Sequence, residues 1–282
     1  MTTPPSTPPA RQFLTQRALR CLTAGALSLA FAGCSGQDIP PPKNEIKDLT
    51  LLQNMVLSRV ERFDSARFKD AVLDYYGEQR IKVRQVLLVK MPGKLRVQTK
   101  MPASNEIISL LVANEQRFSM HKRDTNEYYT GRPTREAVNA LLPLDLSPKD
   151  VVHVMLGGGP WDRFTSSGNP MKLAWNRETG RYRISTATAA GGALSMEVRP
   201  GDFAVVQMKE VNAKGKEVYT YTTKDWKRYG ELSLPSYRRF VWPAKNLDFS
   251  IDVGETQLDV NPPDEWFEFA PPAGSQVIQV GP

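Results

Sequence analysis

The stretch Val86-Leu-Leu-Val-Lys-Met-Pro-Gly-Lys-Leu-Arg-Val97 is two apolar runs hinged on Pro-Gly. Proline presets φ and glycine permits the reversal, so Met91-Pro-Gly-Lys94 reads as a turn. The flanking runs then read as paired strands over residues 79–89 and 94–101. In the second run Leu95, Val97, Thr99 and Met101 face one way, while Lys94, Arg96, Gln98 and Lys100 face the other. Side chains alternate across a strand, so the pattern marks a sheet with one buried face.

The same period extends outward in both directions. Residues 66–76 read as a strand before this pair, and 107–113 with 117–122 as a hairpin after it, with Tyr128 and Tyr129 closing that part of the sheet. The texture then becomes helical over 134–142 and 147–156. The second segment opens on Ser147-Pro-Lys-Asp150, a capping-box pattern with proline at the first helical position. Gly157-Gly-Gly-Pro160 stops it. Strands resume over 171–176, 181–186, 193–199, 203–211, 217–223 and 247–253. Ahead of all of them, 45–62 repeats apolar residues at helical spacing: Ile46, Leu49, Leu52, Met55 or Val56, and Val60. The expected fold is mainly β: about eleven mostly antiparallel strands in one curled sheet, with a leading helix and a central helical insertion. Such a sheet closes on its own core or covers its inner face with helices. Incomplete packing would leave an apolar cavity inside a half-barrel, suited to an acyl chain.

Charge and cysteine usage narrow the class. The +7 formal charge falls to +4 without Arg11, Arg17 and Arg20, and no long Lys/Arg run occurs, so nucleic acid is not an expected partner. Those arginines precede the apolar run Leu22-Thr-Ala-Gly-Ala-Leu-Ser-Leu-Ala-Phe-Ala-Gly33, and no acidic residue occurs before Asp38. A basic start, a short apolar stretch and small residues before Cys34 read as an export signal. The expected organisation is a signal over 1–33, Cys34 with a tether over 34–44, and a single domain over 45–282. The only other cysteine, Cys21, lies inside the signal, so the mature domain has no thiol for a disulfide, a metal or a nucleophile.

Catalytic patterns are missing. His121 and His153 fall on a strand and a helix, without H-x-x-x-H or C-x-x-C, so no metal site is expected. There is no G-x-S-x-G, and Gly157-Gly-Gly159 follows a helix where a phosphate loop would precede one. Asp264-Glu265 reads as a solvated turn. Trp175, Tyr219, Tyr221, Phe240, Trp242 and Phe249 read as core aromatics at strand positions. No catalysis and no cofactor are expected.

Three stretches resemble the LolA/LolB lipoprotein-localisation superfamily. They are the Pro-Gly hairpin above, Leu141-Leu-Pro-Leu-Asp-Leu-Ser-Pro-Lys-Asp-Val151 between the sheet halves, and an ending that runs from Leu247-Asp-Phe-Ser-Ile-Asp-Val to Asn261-Pro-Pro-Asp-Glu-Trp-Phe-Glu-Phe-Ala-Pro-Pro-Ala-Gly274. The resemblance covers 46–280. It implies an unclosed antiparallel barrel of about eleven strands with a helical lid over a hydrophobic cavity. Ala32-Gly-Cys34 resembles a bacterial lipobox, which implies lipidation of Cys34 and resemblance to the membrane-anchored LolB kind; Ser35 after it is compatible with outer-membrane sorting. The implied role is an outer-membrane, periplasm-facing lipoprotein that binds acyl chains of lipoproteins or lipids and exchanges them with a LolA-like carrier. The alternative is an envelope scaffold that binds protein partners. Candidate lining residues are Val83, Leu87, Val89, Leu95, Val97, Leu173, Trp175, Leu247, Phe249 and Ile251. In the loop Met101-Pro-Ala-Ser104, Met101 matches the position of the family's membrane-inserting loop. The long leading helix and long final strands depart from a minimal LolB.

Overall fold

The structure is a computed structural model and describes residues 38–101, 103–141 and 146–281. Cys34 and the segment around it lie outside the described residues. Helix α1 (Leu49–Glu61) leads into six strands: β1 (Ser65–Tyr76), β2 (Arg80–Lys90), β3 (Lys94–Lys100), β4 (Ile107–Ala113), β5 (Phe118–Lys122) and β6 (Glu127–Gly131). Helices α2 (Arg135–Leu141), α3 (Pro148–Met155) and α4 (Trp161–Thr165) follow. The second strand series is β7 (Lys172–Asn176), β8 (Arg181–Ala187), β9 (Ala193–Val198), β10 (Val205–Val211), β11 (Glu217–Tyr229), β12 (Leu232–Trp242) and β13 (Leu247–Leu258), with β14 (Gln276–Val280) last.

All fourteen strands form one sheet, in the order β14-β6-β5-β4-β3-β2-β1-β13-β12-β11-β10-β9-β8-β7. Each series is an antiparallel meander, and β1 pairing with β13 fuses the two. β14 adds in parallel to β6. The end strands β7 and β14 do not pair with each other, so the sheet is unclosed. A bulge between Phe68 and Ala71, with Asp70 at φ 48°, interrupts the β1–β2 register. Gly254 lies against it: a Cβ there would stand 3.1 Å from the Asp70 Cβ. Bulges bend the strand that carries them, which helps the sheet curl.

The fold is the expected mainly β half-barrel, with fourteen strands where about eleven are expected. The main addition is β12. Its Pro235 and the pair Arg238-Arg239 interrupt an otherwise strand-like run, and proline within a run argues against a central strand. β14 is five residues long and finds its partner far away in sequence. The leading helix starts at Leu49 because the Asp48 carboxylate accepts from the Thr50 and Leu51 amides. Val56 points inward and Met55 is exposed.

Two layers cover the concave face. Over the second series, α1 buries Leu52, Val56 and Val60, and an aromatic ladder of Tyr219, Tyr221, Phe240, Trp242 and Phe249 fills the space beneath, with ring centroids 4.4–6.4 Å apart. Over the first series, α3 lies across β2 and β3. The outer face of the first series is crossed by the segment before β14. There Phe267 is buried, Asp264 bridges Lys90 and Lys94 at 2.9 and 2.8 Å, and the Tyr128 hydroxyl donates to the Phe269 carbonyl. Asp264 is therefore an ion-pair partner, where the sequence alone suggested a merely solvated residue.

Both ends of α3 are pinned. At its start the Ser147 hydroxyl accepts from the Asp150 amide at 3.1 Å, and the Asp150 carboxylate accepts from the Asp162 amide, tying α3 to α4. At its finish, Arg59 of α1 donates to the Leu156 carbonyl at 2.6 Å and Arg238 of β12 donates to the Met155 carbonyl at 2.7 Å. Gly157, at φ 79°, makes room: a Cβ there would stand 2.7 Å from Arg59 Nη1. Gly157-Gly-Gly159 thus stops the helix as expected, and also admits the guanidinium. Burial pulls Arg59 down to about 10, still charged at neutral pH, and Asp202 stands 4.0 Å away. Arg238 is fully buried and forms no ion pair among the described residues; it faces the Phe68 ring and Tyr221. Its counter-charge is the negative end of the helix dipole.

Arg238→Met is expected to lower stability by about 1–3 kcal/mol by orphaning the Met155 carbonyl. Amide exchange in α3 should quicken more than in β1; equal protection of α3 in the variant would refute this anchoring. A second expectation concerns pH. Burial and the neighbouring Asp162 raise Asp150 to about 7, whereas burial and Lys149 lower His153 to about 4. Acidification from pH 6.5 to 4 therefore gains stability through Asp150, which the native state protonates first, and loses it through His153, which the unfolded chain protonates first. The two oppose. Asp150→Asn should lose stability over this interval and His153→Gln should gain it, each on the order of 2–3 kcal/mol. Urea melts at several pH values read the sign directly.

Candidate functional site

The inner faces of β1–β5, β12 and β13 enclose a cavity of about 280 Å³ roofed by the helical insertion. Alternation along each strand sends every second side chain into it. β2 contributes Ile81, Gln85 and Leu87; β3 contributes Leu95, Val97 and Thr99; β4 contributes Ser109 and Leu111; β5 contributes Phe118 and Met120. Leu73 and Tyr75 come from β1, Phe240 from β12, and Phe249 and Ile251 from β13. From above, Val138, Leu146, Val151, Val154 and Met155 close the space. Phe118 and Ile251 belong to strands far apart in the sheet order, so their shared cavity shows how strongly the sheet curls. Ile81 lines the cavity and is also 47% exposed, which places an opening beside the β1–β2 hairpin.

Among the described residues Tyr75 is the only titratable one in this lining. The walls offer apolar contact and a few neutral polar groups, the make-up of a site for an apolar ligand. The histidines lie elsewhere. His121 Nε2 is 3.1 Å from Asn126 Oδ1, and His153 is buried on α3. Among the described residues no cluster of three His, Cys, Asp or Glu is placed to hold a metal.

Of the ten candidate lining residues, Leu87, Leu95, Val97, Phe249 and Ile251 are brought together around this cavity. Val83, Val89 and Leu247 are buried in the strands without lining it. Leu173 and Trp175 lie on β7 at the far edge of the sheet, where the Trp175 indole donates to the Ile39 carbonyl. That half is filled by α1, so inward-facing residues there become core. The sequence reading contains the β4–β5 hairpin and a helical lid but names no lining residue from either: Leu111, Phe118 and Met120 follow the same alternation, and Val151, Val154 and Met155 come from the lid. Met101 is 43% exposed in the loop after β3, and the Arg84–Lys100 register places that loop beside the β1–β2 hairpin.

No protein-family model matches the chain, and no curated protein matches it. Solved structures do. A DUF1329 family protein from Desulfovibrio piger superposes with a TM-score of 0.57 at 12% identity, covering 79% of this chain and 98% of that one. A LolA superfamily protein from Nitrosomonas europaea gives 0.53 at 11%, covering 77% and 97%. A Vibrio parahaemolyticus domain described as an outer membrane lipoprotein-sorting protein gives 0.51 at 7%, covering 76% and 95%. With its unclosed sheet, helical roof and hollow first half, the chain shares the fold of the LolA superfamily protein.

Proposed function

We propose that this chain is a periplasm-facing lipoprotein of the outer membrane, anchored through a lipidated Cys34, that binds acyl chains during lipoprotein localisation or lipid transfer. The observation that carries this reading is the apolar cavity between the first half of the sheet and its helical roof. Each methylene buried there contributes about 0.8 kcal/mol, so ~10 methylenes offer roughly 8 kcal/mol, near a micromolar dissociation constant before ordering costs. Exchange between a LolA-like carrier, this cavity and the bilayer then runs on differences in apolar burial and needs no catalytic group. The signal-like sequence ending at Cys34 supports the anchor. Met101, Tyr76 and Ile81 are all exposed at one end of the sheet, which supports a membrane-facing tip that includes Met101.

Residues Gln37–Pro282 form one compact unit that contains the whole described core, so that unit can be studied without the anchor. Native mass spectrometry of it should reveal extra mass that extracts into organic solvent and fragments to acyl chains. A bare mass that stays bare after incubation with phospholipid or lipidated cargo would leave the protein-binding scaffold as the better account. Val97→Glu, on a half-buried lining position, should remove at least ~90% of the bound lipid while the unit still melts cooperatively. In cells, radiolabelled palmitate should enter the full chain and be absent from Cys34→Ser; equal labelling of both would exclude Cys34 as the anchor.

A further inference from the structure

One row of the cavity is not apolar. Gln85, Thr99 and Ser109 stand opposite one another on β2, β3 and β4 and all line the cavity. The next row toward the floor, Leu87, Val97 and Leu111, is entirely apolar. Gln85 is only 8% exposed, and its amide donates to the Thr99 hydroxyl at 3.2 Å. No hydrogen bond of the described residues involves its carbonyl oxygen or the Ser109 hydroxyl; neither atom is sealed off, and Ser109 is half-buried, so both are open to the cavity. A buried polar side chain ordinarily has its groups satisfied, and polar groups in an apolar pocket ordinarily fix a ligand's orientation. Whichever way the Gln85 amide is turned, the row presents donors and acceptors to the cavity. It carries no charge, and an ionised carboxylate at this depth would lack the counter-charge that offsets its desolvation.

We propose that Gln85, Thr99 and Ser109 seat the ester carbonyl of an acyl chain. The hydrocarbon runs below them past Leu87, Val97 and Leu111, and the alcohol portion leaves toward the opening beside Ile81. The proposal deepens the acyl-chain reading given above and rests on it. It makes the cavity selective for ester-linked acyl groups over bare hydrocarbon of the same length. Ser109 is the principal donor, because its hydroxyl is uncommitted and its strand is held between β3 and β5.

The test is displacement of a fluorescent apolar probe from unit Gln37–Pro282 by methyl palmitate and by heptadecane. It is run on the unaltered unit, on Ser109→Ala, and on Gln85→Leu combined with Ser109→Ala. The double substitution should weaken methyl palmitate by about 5- to 10-fold while leaving heptadecane within about twofold. The infrared carbonyl band of the ester bound to the unaltered unit should sit at the lower frequency of a hydrogen-bonded carbonyl and return to the free position in the variant. Should the double variant not fold, Ser109→Ala and the carbonyl band of the unaltered unit decide by themselves. Ester and hydrocarbon weakened alike, with a free carbonyl band in the unaltered unit, would overturn the polar seat and leave the acyl-chain site standing. Failure of both ligands to displace the probe from the unaltered unit would overturn the acyl-chain reading, and the seat with it.

Discussion

Two buried guanidinium groups at the end of one short helix hold the architecture together. α3 has eight residues, too few to be stable alone, and its last carbonyls face the protein interior. Arg59 reaches them from α1 and Arg238 from β12, so the roof of the first sheet half is gripped by elements of the second. The bonds are charge-assisted and lie where water is excluded, which makes them stronger than surface equivalents. The arrangement also places two cations in the core, on two successive carbonyls. Their charge is balanced by the helix dipole, by Asp202 near Arg59, and by the face of Phe68 near Arg238. Arg199 and Ser233 hold Asp202 in turn, extending the network to the β9–β10 turn.

That grip explains why one half of the sheet is solid and the other hollow. α1 lies in the second half and lowers Leu52, Val56 and Val60 onto it, while the aromatic ladder occupies the remaining depth. α3 is held by its ends across β2 and β3. Its Val151, Val154 and Met155 roof a space they do not fill. Native interiors are packed nearly as tightly as organic crystals, so an apolar void of this size is a departure that calls for an occupant. The physics of the proposed function is contained in that difference between the two helices.

The sheet itself was legible from residue order. Period-two alternation around Pro92-Gly93 marked a half-buried sheet, Ser147-Pro148 marked the start of α3, and Gly157-Gly-Gly159 marked its end; the structure has each of them. Less legible were features that depend on distant partners. Arg238 on β12 looks solvent-facing, and proline two residues before Tyr237 argues against a strand. Both are compatible with the sheet because Arg238 meets a helix terminus and Pro235 falls opposite Trp226 in the ladder. Likewise Leu173 and Leu87 carry the same alternation, yet one sits under α1's half and the other under the cavity roof.

The sequence by itself determined the inward and outward faces of most strands, because alternation is a local property of an extended chain. It also determined that residues 35–282 stand without a disulfide, since the cysteines of the chain are Cys21 and Cys34. Tertiary structure decided which inward faces meet a packed core and which meet empty space. That outcome turns on which part of the sheet each helix is anchored over, and the anchoring is set by contacts such as Arg59 to Leu156 that span nearly a hundred residues. Local pattern carries no record of them. For the same reason only the folded register brought Gln85, Thr99 and Ser109 into one row, where three unremarkable polar residues become a polar band in an apolar cavity.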